Sequence, residues 1–317
     1  MLKIAAIALG LSLALCAGSA FAQTPPALQT IRLASAPDDD ITPILYAQRA
    51  GLFRAALISV DLQRATSGSA VAAAVAAGAI DIGKSSIVPL INAHSRGFPF
   101  TLVAPSAIYR SSFATSGLIV PKDSPIRSAR DLTGKTISVA GLQDLNWLGT
   151  NVWIDKNGGD SKAVHFLEVP GTSAAAALDS GRIDAATIVN PVLAQDLASG
   201  KYRMLGHVLN AVGKDRLLQS AWFTTDAYAS SHHDVIEKFV GVLRQAALYA
   251  NSHQDETVEL LAQFSGMDPA TIRSMPRAFA GTTLDPREAQ PLIDAAARYK
   301  LIEKPFPAQE FISQYMR

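Results

Sequence analysis

Thr66–Ser86 reads TSGSAVAAAVAAGAIDIGKSS, and Gly171–Pro191 reads GTSAAAALDSGRIDAATIVNP. Aligning Gly78 with Gly181 also pairs Ile80 with Ile183, Asp81 with Asp184, and Ala72–Ala74 with Ala175–Ala177. Each copy predicts a small-residue cap, an Ala-rich helix, a glycine that stops it and a short apolar strand. Each strand then runs into polar residues, Lys84-Ser85-Ser86 in one copy and Asn190-Pro191 in the other. A helix–strand unit used twice predicts two similar lobes, each turning a strand end and a loop toward the space between them.

Working outward, the same stretch contains a literal P-loop pattern from Gly78 to Ser85, GAIDIGKS. A working P-loop follows a strand and opens a helix. Here the order is reversed, because an Ala-rich helix precedes Gly78 and the spacer is itself the strand candidate. Gly78 therefore reads as a helix stop. Asp81 and Asp184 fall at matching places in the two copies. A repeated structural hydrogen bond at the helix-to-strand turn explains them better than acid–base chemistry does.

The N-terminus carries Lys3, an apolar run from Ile4 to Leu15 and Ala20-Phe21-Ala22. That is the pattern of a secretory leader cleaved after Ala22, so residues 1–22 are expected to take no part in the fold. Leu15 is too large for lipoprotein processing at Cys16, which disfavours a lipid anchor and favours a soluble periplasmic protein. Cys16 is the single cysteine, so the mature chain would hold no disulfide, cysteine metal site or cysteine nucleophile. The full chain has a formal net charge of +1. With no basic cluster, no nucleic-acid partner is expected. No H-E-x-x-H or G-x-S-x-G motif occurs. We expect no catalytic residue, no cofactor and no metal.

Before the opening stretch come a strand (Thr30–Ala36), an acidic turn (Asp38-Asp39-Asp40), a helix opened by Thr42-Pro43 and a strand (Ile58–Leu62). Strand–helix–strand alternation predicts a parallel α/β sheet. After the opening stretch, Ile87–His94 is expected to be a helix whose first turn carries Lys84-Ser85-Ser86. A crossover between lobes is placed near Gly117. Lobe two then runs through strands at Lys135–Ala140, Val164–Val169 and the second echo copy, and the return crossing is placed at Trp222–Ala227. The expected division is residues 23–117 with 223–317 for lobe one and 118–222 for lobe two. Amphipathic helices after Asp234 would pack on lobe one.

Ligands of open parallel sheets sit beyond the carboxyl ends of the strands. That rule selects Asp38, Asp39, Ser67, Gly68, Lys84, Ser85 and Ser86 in lobe one, and Gln143, Asp144, Asn146 and Asn190 in lobe two. Trp222 joins them as an aromatic that could stack on a ligand. Ordinary capping competes as the role of Ser85 and Ser86, and a solvated turn as the role of the three aspartates. Arg110, near the first crossover, reads as a surface arginine.

Several segments in order carry a family likeness: Ala50-Gly51-Leu52-Phe53, Gly78–Gly83, Pro121-Lys122-Asp123-Ser124-Pro125, Asp131-Leu132-Thr133-Gly134-Lys135 and Gly181–Ala186 with Asn190-Pro191. Together they resemble the nitrate/sulfonate/taurine class of ABC-transporter periplasmic binding proteins, whose fold is similar to that of the thiamine-pyrimidine precursor-binding proteins. The resemblance implies a type II periplasmic-binding fold, with two α/β lobes, two crossover segments and a ligand cleft. It also implies a small, anionic sulfonate- or carboxylate-type ligand, and delivery to a membrane permease with its ATPase by a monomeric protein. An enzyme on the same scaffold and a ligand-sensing partner of a membrane receptor are the competing functions. The related pyrimidine-synthesising branch carries a cysteine-rich motif that this mature chain lacks.

Overall fold

The computed structural model describes residues 27–213 and 215–313. The expected leader, Cys16 included, lies outside them. Among the described residues, eleven strands form two sheets. The first contains β1 (Gln29–Ser35), β2 (Ile58–Arg64), β3 (Ile82–Ser86), β4 (Phe100–Arg110), β10 (Arg216–Thr225) and β11 (Phe279–Ala280), in the order β11-β4-β10-β3-β1-β2. The second contains β5 (Ser116–Pro121), β6 (Thr136–Val139), β7 (His165–Glu168), β8 (Ala185–Val189) and β9 (Tyr202–Gly206), in the order β7-β6-β8-β5-β9. The chain thus has two α/β lobes and crosses between them twice, after Arg110 and after Gly206.

In each lobe the parallel strands, β1 with β2 and β3 or β6 with β7 and β8, are flanked by antiparallel ones. The return crossing comes earlier than the sequence suggests. Arg216–Thr225 is a strand of the first sheet, hydrogen-bonded to both β3 and β4. Its partners lie more than 100 residues away in the chain, so local pattern does not reveal them.

The echo units fold as paired copies. Helix α3 (Gly68–Ala76) and helix α6 (Gly171–Asp179) are each followed by a glycine in the left-handed region, Gly78 at φ +70° and Gly181 at φ +69°. Only glycine adopts that conformation without a Cβ penalty, and it ends the helix. Asp81 donates its N–H to the Arg32 carbonyl at 3.0 Å and accepts the Arg32 N–H at 2.8 Å. Asp184 makes the same pair of bonds to Thr136, at 2.8 and 2.9 Å. The two aspartates are repeated structural links, as their matching context predicts. Because their backbones turn toward β1 and β6, β3 starts only at Ile82 and β8 only at Ala185.

Lys84-Ser85-Ser86 departs from expectation. These residues finish β3, paired with Trp222, Ala221 and Ser220 of β10, and helix α4 (Ile87–Ser95) begins after them. Pairing with β10 extends the strand into residues that local pattern assigns to the helix. Gly83, in the same strand, has no room for a side chain. A Cβ there would lie 2.5 Å from Val71, 2.8 Å from Val75 and 2.9 Å from Phe223. Gly83→Ala is therefore expected to cost about 1–3 kcal/mol by overpacking, read as a lower urea midpoint with unchanged slope.

One core joins Ile31, Leu33, Ile82, Trp222, Phe223 and Phe239 of the first lobe with Leu118, Ile137 and Leu148 of the second, and a smaller core in the second lobe centres on residues such as Ile119, Ile183 and Ile188. No helix among the described residues is long and apolar enough to cross a membrane.

Candidate functional site

A cavity of about 120 Å³ lies where the carboxyl ends of the strands from both sheets meet. Lobe one contributes Asp38, Asp39 and Asp40 after β1, Thr66, Ser67 and Gly68 after β2, and Lys84, Ser85 and Ser86 at the end of β3. Lobe two contributes Ala140, Asp144, Leu145 and Asn146 around the start of α5 (Leu145–Lys156), and Val189 and Asn190 at the end of β8. The strand-end rule thus brings ten of the twelve selected residues together. The other two lie elsewhere. Trp222 is 1 % exposed and packs edge-on against Phe239 at 5.8 Å, inside the lobe-one core. Its strand pairs deep within the sheet, so the side chain is spent on packing rather than on stacking a ligand. Gln143 adopts φ 63° and lines a separate depression with Asn92, Arg96 and Phe98.

The charges are arranged in layers. Lys84, 3 % exposed, reaches Asp40 at 2.6 Å and Asp38 at 3.4 Å. Burial disfavours its charged form, but the two aspartates outweigh that penalty and hold its pKa above the usual lysine range. Asp40 also accepts the Ser220 hydroxyl at 2.5 Å. Asp39 has different partners. It is bound by Arg277 (Nη2 at 2.8 Å), by the Ala278 N–H and by the Thr42 hydroxyl, so its carboxylate is committed to the fold. Thr42 opens the first helix (Thr42–Arg49) without capping it by its side chain.

Two of the lining carboxylates are less committed. Asp38 keeps 41 % of its side chain accessible, although the surrounding walls raise its pKa against the pull of Lys84. Asp144 caps α5 by accepting the Trp147 N–H at 2.8 Å. Burial pushes its pKa up to about 7, opposed by the amides at the helix start and reinforced by Glu168 and by Asp38 across the cleft.

Three buried polar atoms of the lining have no hydrogen-bond partner among the described residues: Ser85 Oγ, Asn146 Oδ1 and Asn190 Oδ1. Ser85 is fully buried and Asn190 is 3 % exposed. Ser85 and Ser86 provide no side-chain cap to α4, so capping does not explain them. Ser67, by contrast, does cap α3, accepting the Ala70 N–H at 3.2 Å. Gly68 leaves room for the Ser85 hydroxyl, since a Cβ on it would fall 2.3 Å from Ser85 Oγ. The Asn190 amide is oriented by its Nδ2, which donates to the Pro276 carbonyl at 2.8 Å and leaves Oδ1 unpaired.

Sequence reasoning missed Thr115, Gln219, Ser220 and Ala278, which add to the lining from the first crossing, from β10 and from the C-terminal region. Thr115 donates to Gln219 Oε1 at 3.3 Å, linking the first crossing to β10. Arg110 lies outside the cleft, with its guanidinium over Phe279 at 4.6 Å and Phe113 at 5.3 Å. No group of three or more metal-ligating side chains occurs among the described residues.

A family model described as NMT1/THI5 like matches residues 38–257. This chain belongs to that NMT1/THI5-like family. Comparison with curated protein sequences finds no significant match. Among solved structures, the alkanesulfonate-binding protein SsuA of Xanthomonas axonopodis pv. citri, bound to MOPS, is similar at TM-score 0.76 and 20 % identity, over 90 % of this chain and 99 % of that one. The periplasmic nitrate-binding protein NrtA of Synechocystis PCC 6803 is similar at TM-score 0.67 and 12 % identity, over 77 % of this chain and 69 % of that one. The desulfurization enzyme DSZB is similar at TM-score 0.66 and 15 % identity, over 90 % of this chain and 97 % of that one. At these identities the likeness establishes the fold, which is that of periplasmic binding proteins and of at least one enzyme.

Proposed function

We propose that this NMT1/THI5-like chain is the periplasmic solute-binding component of an ABC importer. It is exported with cleavage after Ala22, encloses one small molecule between its two lobes and hands it as a monomer to a permease driven by a separate ATPase. The observation that carries this reading is the set of unpartnered, buried polar atoms contributed by both lobes to one cavity. Leaving such atoms unpaired costs about 1–3 kcal/mol each. A ligand that pairs with them recovers that cost only when both lobes contribute, which couples binding to closure.

The cavity suits a compact polar ligand. A water needs roughly 10–15 Å³ of comparable space, so about ten non-hydrogen atoms fit. The sulfonate or carboxylate ligand expected from the family likeness suits the charges poorly. Lys84 is neutralised by Asp40 and Asp38 before any ligand arrives, and Arg277 is spent on Asp39. The enzyme alternative lacks an activated nucleophile in this lining, and turnover of a bound molecule by the purified chain would revive it.

The test is mass spectrometry of what co-purifies with the exported chain, followed by thermal shift with the molecule found. A ligand at 100 times its dissociation constant should add about 2.7 kcal/mol of stability. Ser85→Ala should leave the ligand-free melting temperature unchanged or slightly higher, because the hydroxyl has no partner to lose. It should weaken binding about 3–10-fold, the worth of one neutral hydrogen bond. Unchanged affinity would remove Ser85 from the site.

A further inference from the structure

We infer that Asp38 of lobe one and Asp144 of lobe two form a cross-cleft clamp for a cationic nitrogen, so that the ligand is an ammonium- or amidinium-bearing solute. This inference rests on the solute-binding reading above and deepens it. Three independent features lead to it. The first is charge. Four carboxylates line the cavity (Asp38, Asp39, Asp40 and Asp144), against one lysine. Even with Arg277 counted against Asp39, two negative charges remain when all are ionised.

The second feature is hydrogen-bond polarity, which does not depend on the carboxylates. Asn146 Oδ1 and Asn190 Oδ1 are acceptors without a donor, and the Asn190 amide is held in that orientation by the Pro276 carbonyl. Carboxamide and carboxylate oxygens need N–H or O–H donors. A sulfonate, nitrate or carboxylate offers only acceptors and would leave these oxygens unpaired. An ammonium offers three donors and an amidinium four, and either would also neutralise the excess charge.

The third feature is placement. Asp38 follows β1 and Asp144 starts α5, so the two carboxylates belong to opposite walls of one cavity. They are near enough for the Asp38 charge to act on Asp144. Without a ligand they repel each other and favour opening. A cation between them turns that repulsion into two attractions that exist together only when the lobes are closed. Glu168, Asp39, Asp40 and Lys84 are the other charged groups acting on this pair.

The experiment uses matched skeletons on the exported chain: benzamidine, benzamide, benzoate and benzenesulfonate, together with n-butylamine, butyramide, butyrate and butanesulfonate. Affinities are read by calorimetry at pH 8 beside the identity of any co-purified molecule. The amidinium or ammonium member should bind at least tenfold more tightly than its neutral and anionic counterparts. Asp38→Asn and Asp144→Asn should each weaken it by about 10–100-fold, as expected for a hydrogen bond to a charged group. Far-UV circular dichroism and melting temperature establish that both variants are folded.

Equal or tighter binding of an anionic member would overturn the clamp, as would cation affinity unchanged in both variants. If no probe binds, the co-purified molecule decides: a cation supports the clamp, and an anion or neutral molecule overturns it while the solute-binding reading stands. If nothing binds and nothing co-purifies, that reading falls as well.

Discussion

Lys84→Met is expected to lower the stability of the folded chain by about 3–5 kcal/mol, the usual cost of removing one partner of a buried ion pair. The lysine is 3 % exposed and its ammonium sits 2.6 Å from Asp40, a carboxylate that is itself almost completely buried. Without Lys84, Asp40 keeps the Ser220 hydroxyl but no positive charge. The uncompensated carboxylate must then either protonate or open the structure to water. For a chain whose total stability is about 5–15 kcal/mol, that loss is large. It should shift the melting temperature by on the order of 10 °C. The double variant Lys84→Met, Asp40→Asn removes both charges and should recover more than half of the loss. Urea denaturation of the single and double variants measures this. A single-variant loss below about 1 kcal/mol would mean that the pair is hydrated and contributes little.

The same pair shows what could and could not be read from the sequence. Features whose cause is local were legible. Gly78 and Gly181 stop their helices because each needs positive φ, and Asp81 and Asp184 repeat one hydrogen-bond pattern in two lobes. The cleft residues Asp38, Ser67, Lys84, Ser85, Asp144 and Asn190 were reached because each follows the carboxyl end of a recognisable strand or opens the next helix. What each of them does there was less legible, because that depends on partners far away in the chain. Asp39 is taken by Arg277, 238 residues distant, and Asp40 by Ser220, 180 residues distant. Nothing near an acidic turn says which of its three carboxylates will be consumed by the fold and which left for a ligand.

Trp222 failed for the same reason. A tryptophan near a presumed crossing suits a binding wall, but β10 turns out to sit between β3 and β4 and buries it. The sign of the cleft was also hidden. Lys84 looks like an anion site in a strand–helix junction until its two aspartates are seen around it. The family likeness pointed toward anions, whereas four carboxylates line this cavity against one lysine. Fold and ligand preference are separable, since a few side chains at strand ends set the second without disturbing the first.

Asp144 should make the ligand-free protein less stable as pH rises from 5 to 8, and Asp144→Asn should remove that part of the dependence. Burial raises its folded-state pKa to about 7, well above the unfolded value of 3.8. The folded state therefore holds a proton that the unfolded state has already released. Where the folded state binds more protons, stability falls with pH, and it levels off above the folded pKa. The contribution is fully present below about pH 4 and lost by about pH 7. Each pH unit in that window is worth about 1.4 kcal/mol, which sets a ceiling of about 4 kcal/mol. Water reaching the cleft will reduce it. Asparagine caps helices as well as aspartate does, so the variant keeps the bond to the Trp147 N–H and isolates the charge. Asp196, which burial raises to about 6, contributes a similar slope in both proteins and cancels in the difference. Urea denaturation at pH 5 and pH 8 should therefore show the variant gaining on the wild type by about 1–3 kcal/mol at the higher pH. Parallel pH dependence in the two proteins would mean that Asp144 is already ionised at pH 5 and solvated in the open cleft. A cation held between Asp38 and Asp144 makes a further demand: saturation with the tightest-binding amine must restore wild-type stability at pH 8 and stabilise Asp144→Asn much less at the same concentration.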